Sequence, residues 1–121
     1  MKEKQLQDIT ALYGRLSRDD EVGGESMSIQ SQRAILGQYA KEHGFTNCQF
    51  FMDDGYSGTN YDRPGFQSML VEIEAGRVGI VITKDLSRLG RNSALTGLYT
   101  NFTFPQYGVR YIAINDNYDT I

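Results

Sequence analysis

The 121-residue chain has little of several residue types, and each scarcity excludes a class of protein. It has one cysteine, Cys48, and one histidine, so it can form neither an internal disulfide nor a zinc site built from several such ligands. Cys48 lies in a strand-like run and is interpreted as a small core residue. No apolar run approaches the roughly 20 residues that span a bilayer, and residues 1–5 lack the apolar segment of a secretory signal. We therefore expect a cytoplasmic protein without membrane contact.

The chain also lacks an excess of positive charge. Its net charge is −3 at pH 7 and its pI is about 5.0. A domain that binds DNA by itself carries a basic face, because neutralisation of phosphates supplies most of the affinity. The net charge therefore argues against strong DNA binding by this chain alone. With 40% hydrophobic and 22% charged residues, the composition is that of an ordinary globular domain with one core.

Apolar runs alternate with segments of helical periodicity along the whole chain. Predicted strands cover residues 9–14, 47–52, 78–83 and 109–114. Predicted helices run from Ser26 or Ser28 to Gly44, from Pro64 to Gly76, and from Asn92 or Ser93 to about Pro105. Polar loops are predicted at 18–26 and 53–62. This alternation predicts an α/β domain of three layers, with a mostly parallel sheet and helices on both faces.

Helical spacing also predicts which side chains of each helix face the core. In the first helix they are Ile29, Arg33, Leu36, Tyr39 or Ala40, and His43. In the second helix they are Phe66, Met69, Leu70 and Ile73, and in the third Leu95, Leu98, Tyr99 and Phe102.

The most informative segment, Lys-Asp-Leu-Ser-Arg-Leu-Gly-Arg at 84–91, directly follows the third predicted strand. Arg88 and Arg91 are three residues apart, a spacing that places both side chains on the same side of a helical turn. The planar guanidinium group matches phosphate oxygens bidentately. A third arginine, Arg15, follows the first strand, with the hydroxyl of Ser17 two residues later. Because open α/β sheets bind ligands at the carboxyl ends of their strands, these residues predict a phosphate site with a candidate nucleophile.

Five ordered sequence blocks carry a resemblance to a known family. They lie at 13–17 (Tyr-Gly-Arg-Leu-Ser), 28–32, 54–58 with 63–66, 86–91 and 108–112. Together they resemble the catalytic domain of the serine site-specific recombinases, the resolvase/invertase family, from about Ile9 to the end of the chain. The long stretch between Ser17 and Ser28 and the residues at 84–92 and 104–114 are most similar to the large serine recombinases, the transposases and integrases of mobile elements.

The resemblance implies an activity and a set of site residues. The expected enzyme cuts and rejoins DNA without a metal ion or other cofactor, and Ser17 would be the nucleophile that becomes joined to a DNA 5′ end. The cations that clamp the scissile phosphate would be Arg15, Arg88 and Arg91; Asp54 and Arg63 match further active-site positions; supporting polar groups are Tyr13, Gln32, Ser57 and Ser87. The family fold also implies a short fifth, antiparallel strand at the end of the chain.

One position departs from the common pattern of the family. Smaller members usually have an aspartate where this chain has Ser87, so a carboxylate role cannot be carried over to that position. Asp85 is close in sequence, but two positions along a helical turn are expected to direct its side chain elsewhere. Neither the general base nor the group that protonates the departing 3′ oxygen is therefore assigned by the sequence.

The resemblance also implies a division of labour between domains. Residues 1–121 would form the catalytic domain, with 1–8 as a flexible tail. The long helix that forms the dimer and tetramer core, and the DNA-binding domains, would lie beyond this chain. We therefore expect DNA to be bound through those other parts.

Two alternatives belong to other functional classes. A phosphorylated signalling receiver is also doubly wound. Asp53 and Asp54 superficially match its acidic pocket, and Thr83 and Lys84 match its threonine and lysine. Its first strand, however, ends in an acidic pair that binds Mg²⁺, where this chain has Gly14 and Arg15. A catalytically silent assembly module is the other alternative, and the presence of Ser17 and the arginines argues against it.

Overall fold

The computed structural model describes residues 8–16, 28–57 and 59–120. Its elements in chain order are β1 (Ile9–Leu16), α1 (Ile29–Glu42), β2 (Cys48–Asp54), α2 (Pro64–Glu74), β3 (Val78–Thr83), α3 (Leu86–Leu89), α4 (Ser93–Leu98), a π-helical turn (Tyr99–Thr103), α5 (Phe104–Gln106), β4 (Arg110–Ala113), a 3₁₀ turn (Ile114–Asp116) and β5 (Tyr118–Asp119). The predicted strands and helices are confirmed in order and type. The predicted loop at 18–26 and the first seven residues of the predicted tail lie outside the described residues.

The strands form one five-stranded sheet in the order β2-β1-β3-β4-β5. The first four strands are parallel, and β5 is antiparallel to β4, which confirms the fold class together with the implied fifth strand. Because β1 is parallel to and hydrogen-bonded with both β2 and β3, the carboxyl ends of these three strands lie at the same edge of the sheet. Arg15 and Asp54 lie at two of these strand ends, and Arg88 follows the third.

Helices cover both faces of the sheet and make two cores. Successive strand residues point to opposite faces, so Tyr13 packs on the side of α2 while Leu12 packs on the side of α1. The larger core includes Phe66, Met69 and Ile73 of α2. The smaller core consists of Leu12, Leu36, Ala40, Ile80, Ile82 and Ile112. Among the described residues, no helix is long and apolar enough to cross a bilayer.

Helix α1 begins after Ser28, whose hydroxyl oxygen accepts a hydrogen bond from the backbone N–H of Ser31 at 3.0 Å. Its buried stripe is Gln32, Leu36 and Ala40. The predicted stripe was right for Leu36 and Ala40 and wrong for Arg33 and His43, which are exposed. Arg33 stacks over the ring of Phe50. A polar residue takes the inward position because the amide of Gln32 has backbone partners in β1.

Helix α2 receives its cap from a different element. Its own N-cap residue, Arg63, makes no side-chain cap. Instead the carboxylate of Asp53, at the end of β2, accepts hydrogen bonds from the N–H groups of Gly65 at 2.7 Å and Phe66 at 2.9 Å. A Cβ on Gly65 would lie 2.8 Å from the Met52 carbonyl oxygen, so glycine is required for this close approach.

Two interpretations of the strands need correction. Cys48 is exposed and not a core residue, because it opens β2, an edge strand whose first two residues face outward. Strand β2 also continues through Asp54, so the predicted loop at 53–62 begins only at Gly55. The pairing of Leu16 with Asp54 shows that β1 likewise extends further than the predicted 9–14.

The third helical segment is interrupted by the π-helical turn at Tyr99–Thr103. A π turn holds one residue more than an α turn, so it shifts the helical phase of everything after it. Leu95 and Tyr99 pack against the core as predicted. Leu98 and Phe102 are exposed, and Phe104 is buried in the place expected for Phe102.

We expect Asp53→Ala to lower the free energy of unfolding by about 2–4 kcal/mol, because two helix N–H groups and the Tyr13 hydroxyl lose their acceptor. Urea unfolding measures the change. The matched control is Asp54→Ala, which removes the exposed carboxylate next to it on the same strand and should shift stability by no more than about 0.5 kcal/mol. Equal effects of the two substitutions would contradict this account of the cap.

Candidate active site

Arg15 lies at the end of β1 with its side chain fully buried. Its guanidinium group donates to the backbone carbonyl of Tyr56 at 3.2 Å and, through a short hydrogen bond, to that of Ser87. These two carbonyls belong to the segments that follow β2 and β3. Arg15 therefore joins the ends of three neighbouring strands.

Gln32 holds the backbone of Arg15 from the other side. Its side-chain oxygen accepts from the Arg15 N–H at 3.1 Å, and its side-chain nitrogen donates to the Arg15 carbonyl at 2.9 Å. A Cβ on Gly14 would lie 2.9 Å from the Gln32 oxygen and 2.6 Å from Met52 Sδ. Gln32 is therefore a positioning residue, because its side chain fixes the backbone of Arg15 at the end of β1.

Arg88 lies next to Arg15 and is only 5% exposed. Its Nη1 donates to the backbone carbonyl of Arg15 at 3.3 Å. The turn that carries it, α3, is a single helical turn capped by Asp85, whose carboxylate accepts from the Arg88 N–H at 3.2 Å. The structure thus brings together two of the three predicted phosphate-binding cations.

Arg91 lies outside this cluster of buried cations. Helix α3 ends at Leu89, and Gly90 continues in extended conformation. A Cβ on Gly90 would lie 2.1 Å from the Tyr61 hydroxyl, so only glycine fits there. Arg91 is exposed whereas Arg88 is buried. The two arginines thus differ in burial, and α3 ends before Arg91, whereas a three-residue spacing aligns side chains only within a continuous helix.

Arg63 is buried beneath the α3 turn, with 1% of its surface exposed. Its Nη2 donates to the Leu89 carbonyl at 2.6 Å and its Nε to the Asn60 carbonyl at 3.0 Å. The guanidinium group also stacks over the ring of Tyr61 at 4.6 Å. Arg63 therefore supports the turn that carries Arg88 and acts as a positioning residue.

Tyr13 connects Arg63 to a buried carboxylate. Its hydroxyl accepts from Arg63 Nη1 at 2.8 Å and donates to Asp53 Oδ2 at 2.6 Å. Burial raises the pKa of the Tyr13 phenol well above its ordinary value, so the hydroxyl stays protonated and remains a donor. The family resemblance marks Asp54 and not Asp53. The one signal for Asp53 is strand alternation, which places it on the same face as buried Phe51.

The remaining site candidates lie at or near the surface. Asp54 is exposed at the end of β2. Ser57 is half-buried, and its oxygen accepts from the Thr59 N–H at 3.1 Å, as a turn-forming serine does. Ser17 follows directly after β1 in sequence and lies outside the described residues.

Asp85 does not face away from Ser87, contrary to the sequence expectation. Its Oδ1 accepts a 2.5 Å hydrogen bond from the Ser87 hydroxyl, and its Oδ2 lies 3.0 Å from Lys84 Nζ. The expectation failed because Asp85 is the N-cap, with φ −154° and ψ 172°, and an extended N-cap folds its side chain over the first turn. Although partial burial acts to raise the pKa of Asp85, hydrogen bonds from Ser87 and Lys84 bring that pKa below its ordinary value.

This end of the sheet therefore presents fixed cations beside a carboxylate–hydroxyl pair. Two buried guanidinium groups, of Arg15 and Arg88, lie at the carboxyl ends of adjacent parallel strands. Preorganised cations of this kind stabilise negative charge that develops on phosphate oxygens. Within residues 8–16, 28–57 and 59–120, no group of three His, Cys, Asp or Glu side chains is placed to hold a metal ion.

Comparison with known proteins gives consistent matches. The family model described as "Resolvase, N terminal domain" matches residues 10–121. The N-terminal catalytic domain of TP901-1 integrase is 28% identical with a TM-score of 0.83, over 93% of this chain and 82% of that one. A resolvase family site-specific recombinase from Streptococcus pneumoniae is 27% identical with a TM-score of 0.72, over 93% and 76% of the two chains. Uncharacterized immunity region protein 3 of Bacillus phage phi105 is 32% identical over 65 residues, 54% of this chain and 78% of that protein. None of these three relatives supports the receiver alternative.

We expect the Asp85 carboxylate to stabilise the fold in a pH-dependent way. Because the folded-state pKa is lowered, the stabilising contribution is complete above the unfolded-state value of about 3.9 and is lost as the pH falls through the folded-state value. The difference in unfolding free energy between the parent and Asp85→Asn should therefore be constant above about pH 5 and shrink in more acidic buffer. Urea unfolding over a pH series tests this, and a difference that grows on acidification would contradict it.

Proposed function

Because the chain belongs to the resolvase N-terminal domain family, the catalytic domains of serine site-specific recombinases, we propose that it cuts and rejoins DNA through a covalent bond between Ser17 and a DNA 5′ phosphate. The observation that supports this most directly is the pair of buried guanidinium groups of Arg15 and Arg88. In sequence, the nucleophile candidate lies two residues after Arg15, at the same end of β1.

Transfer of a DNA phosphate to serine makes three chemical demands. The hydroxyl must lose a proton, the non-bridging oxygens must be stabilised as charge develops, and the departing 3′ oxygen must gain a proton. In our proposal Arg15 and Arg88 meet the second demand. Their donors are held by the carbonyls of Tyr56, Ser87 and Arg15, and phosphate oxygens would take over some of these hydrogen bonds when DNA enters.

The other buried polar residues keep these two cations in place. Arg63 and Tyr13 support the α3 turn from below, and Gln32 fixes the backbone of Arg15. Effects of their substitution would reach the chemistry through Arg15 and Arg88. Arg91 and Asp54, both exposed, are the proposed site residues that DNA reaches first.

We propose that most of the affinity for DNA comes from parts of the full-length protein other than this domain. A net charge of −3 gives it no general attraction to a polyanion. In the same proposal, dimers and tetramers of the full-length protein bring the sites of two DNA duplexes together, so that strands can be exchanged.

Ser17→Ala in the full-length protein should abolish the covalent protein–DNA adduct and leave binding to the recombination site nearly unchanged, because the hydroxyl forms the bond but contributes little affinity. Trapping followed by denaturing electrophoresis detects the adduct, and a gel shift measures binding. The matched control is Ser68→Ala, which removes an exposed hydroxyl on α2 and should form the adduct normally. An adduct with Ser17→Ala would assign the nucleophile elsewhere. In the same gel shift, residues 1–121 alone should not retard the DNA at physiological salt.

Arg88→Lys should slow cleavage by about 10²-fold, since loss of one preorganised donor typically costs 10²–10³ in rate and lysine lacks the planar fork. The control is Arg77→Lys, which changes an exposed arginine whose side chain pairs with Glu72 at the surface. Single-turnover cleavage of a DNA containing the site measures both rates. Parent-like cleavage by Arg88→Lys would make Arg88 a structural residue.

A further inference from the structure

Asp85 and Ser87 form a hydrogen-bonded pair against the two buried arginines. The Ser87 hydroxyl donates to Asp85 Oδ1 at 2.5 Å, while the Ser87 carbonyl accepts from the Arg15 guanidinium group. On the other side of the carboxylate, Lys84 Nζ lies 3.0 Å from Oδ2, and Arg88 Nε lies 4.0 Å from Oδ1. The carboxylate thus lies between two cations, and its Oδ1 accepts from the Ser87 hydroxyl and from the Arg88 N–H.

This arrangement determines what Ser87 can offer a substrate. A serine hydroxyl has one donor hydrogen and two acceptor lone pairs. Since its hydrogen is directed to Asp85, the Ser87 oxygen retains an acceptor position for a second hydroxyl. At neutral pH Asp85 is ionised, because its pKa lies below the ordinary value.

The carboxylate of Asp53, which lies at the same edge of the sheet, is not available to act on a substrate hydroxyl in this way. Asp53 is 2% exposed, and its two oxygens accept from the N–H groups of Gly65 and Phe66 and from the Tyr13 hydroxyl. Its hydrogen bonds hold α2 and Tyr13. The side chain of Asp85, in contrast, is 18% exposed, and Asp85 is the N-cap of the turn that also carries Arg88.

We propose that Asp85, acting through Ser87, handles the proton of the DNA 3′ oxygen during strand exchange, an inference that rests on the proposed function. In rejoining, the 3′ hydroxyl oxygen forms a bond to the phosphorus of the phosphoserine as the Ser17 oxygen–phosphorus bond breaks. The 3′ hydroxyl proton passes to the Ser87 oxygen while the Ser87 proton passes to Asp85. Asp85 then releases a proton to water, and the departing Ser17 oxygen takes one from water. Cleavage follows the same path in reverse: Ser17 loses its proton to water, Asp85 takes a proton from water, and that proton passes through Ser87 to the departing 3′ oxygen.

Ser87 is therefore the group that touches the reacting oxygen, and Asp85 is its positioning residue. Smaller members of the family usually have an aspartate where this chain has Ser87. The Asp85–Ser87 pair would supply a carboxylate at the same place. The N-cap conformation makes this possible, since it brings a carboxylate two residues earlier onto the hydroxyl of Ser87.

The test compares two DNA substrates in the full-length protein. One has the natural 3′ oxygen at the scissile phosphate, and the other has sulfur in its place, which departs as a thiolate and needs no proton because thiols have a pKa of about 8.5. Asp85→Asn retains an oxygen that can cap α3 and accept from Ser87, so the turn is preserved. We expect it to slow cleavage of the oxygen substrate by about 10²-fold or more and to cleave the sulfur substrate at the parent rate.

Three further variants give the proposal a readout that a structural role would not change. Ser87→Ala should show the same pattern as Asp85→Asn, and the double variant should be no slower than the slower single variant. Ser87→Asp in the Asp85→Asn background should restore cleavage of the oxygen substrate, because it places a carboxylate directly at the reacting oxygen.

The proposal is overturned if Asp85→Asn slows both substrates equally, since Asp85 then only holds the turn, or if it leaves the oxygen substrate unaffected. A ¹³C NMR titration examines the pair without DNA: Ser87→Ala should raise the pKa of the Asp85 carboxyl, and an unchanged pKa also overturns the proposal. If the parent forms no adduct with either substrate while the titration shows the pair, the proposed function itself is wrong and this inference falls with it.

Discussion

Three arginine side chains buried at one end of a parallel sheet determine how the rest of this site is built. Arg15, Arg63 and Arg88 are each at most 5% exposed. A buried charge costs several kcal/mol unless hydrogen bonds replace its lost water. Here backbone carbonyls of β1 itself and of the segments that follow β2 and β3 supply many of those bonds, so the cations and these backbone segments hold each other in place.

The neighbouring polar residues follow from that constraint. Tyr13 and Asp53 supply a further acceptor for Arg63 and balance its charge across one hydroxyl. Gln32 occupies the buried face of α1 because the end of β1 offers both a donor and an acceptor. The close approach of Gln32 and Met52 leaves no room for a side chain at Gly14, and that of Tyr61 leaves none at Gly90. Packing and electrostatics therefore constrain the same few positions.

Much of this could be predicted from the sequence. Apolar runs located the four parallel strands, and the rule that parallel strands share one ligand edge brought Arg15 and Arg88 together before any coordinates. Ser28 and Pro64 marked helix starts correctly, because capping and fixed φ are local properties.

What could not be predicted depends on contacts between distant residues. The close approach of Tyr61, which requires glycine at position 90, is a contact between residues 29 positions apart in sequence. The role of Asp53 depends on α2 lacking a cap of its own. The π turn that exposes Phe102 has no sequence signal in a window that otherwise reads as one helix. In each case contacts between residues distant in sequence determine the structure of a segment whose local sequence is compatible with more than one conformation.

The burial of Arg15 has a consequence for selectivity among anions. With its guanidinium group fully enclosed behind the carbonyls of Tyr56 and Ser87, it offers no surface on which a small ion such as inorganic phosphate could settle from solution. Only a ligand bound at several other points can compete with those carbonyls for the cation. The resting domain is in this way insulated from the abundant phosphates of the cell, and a long polymer held elsewhere along its length has the advantage over every small one.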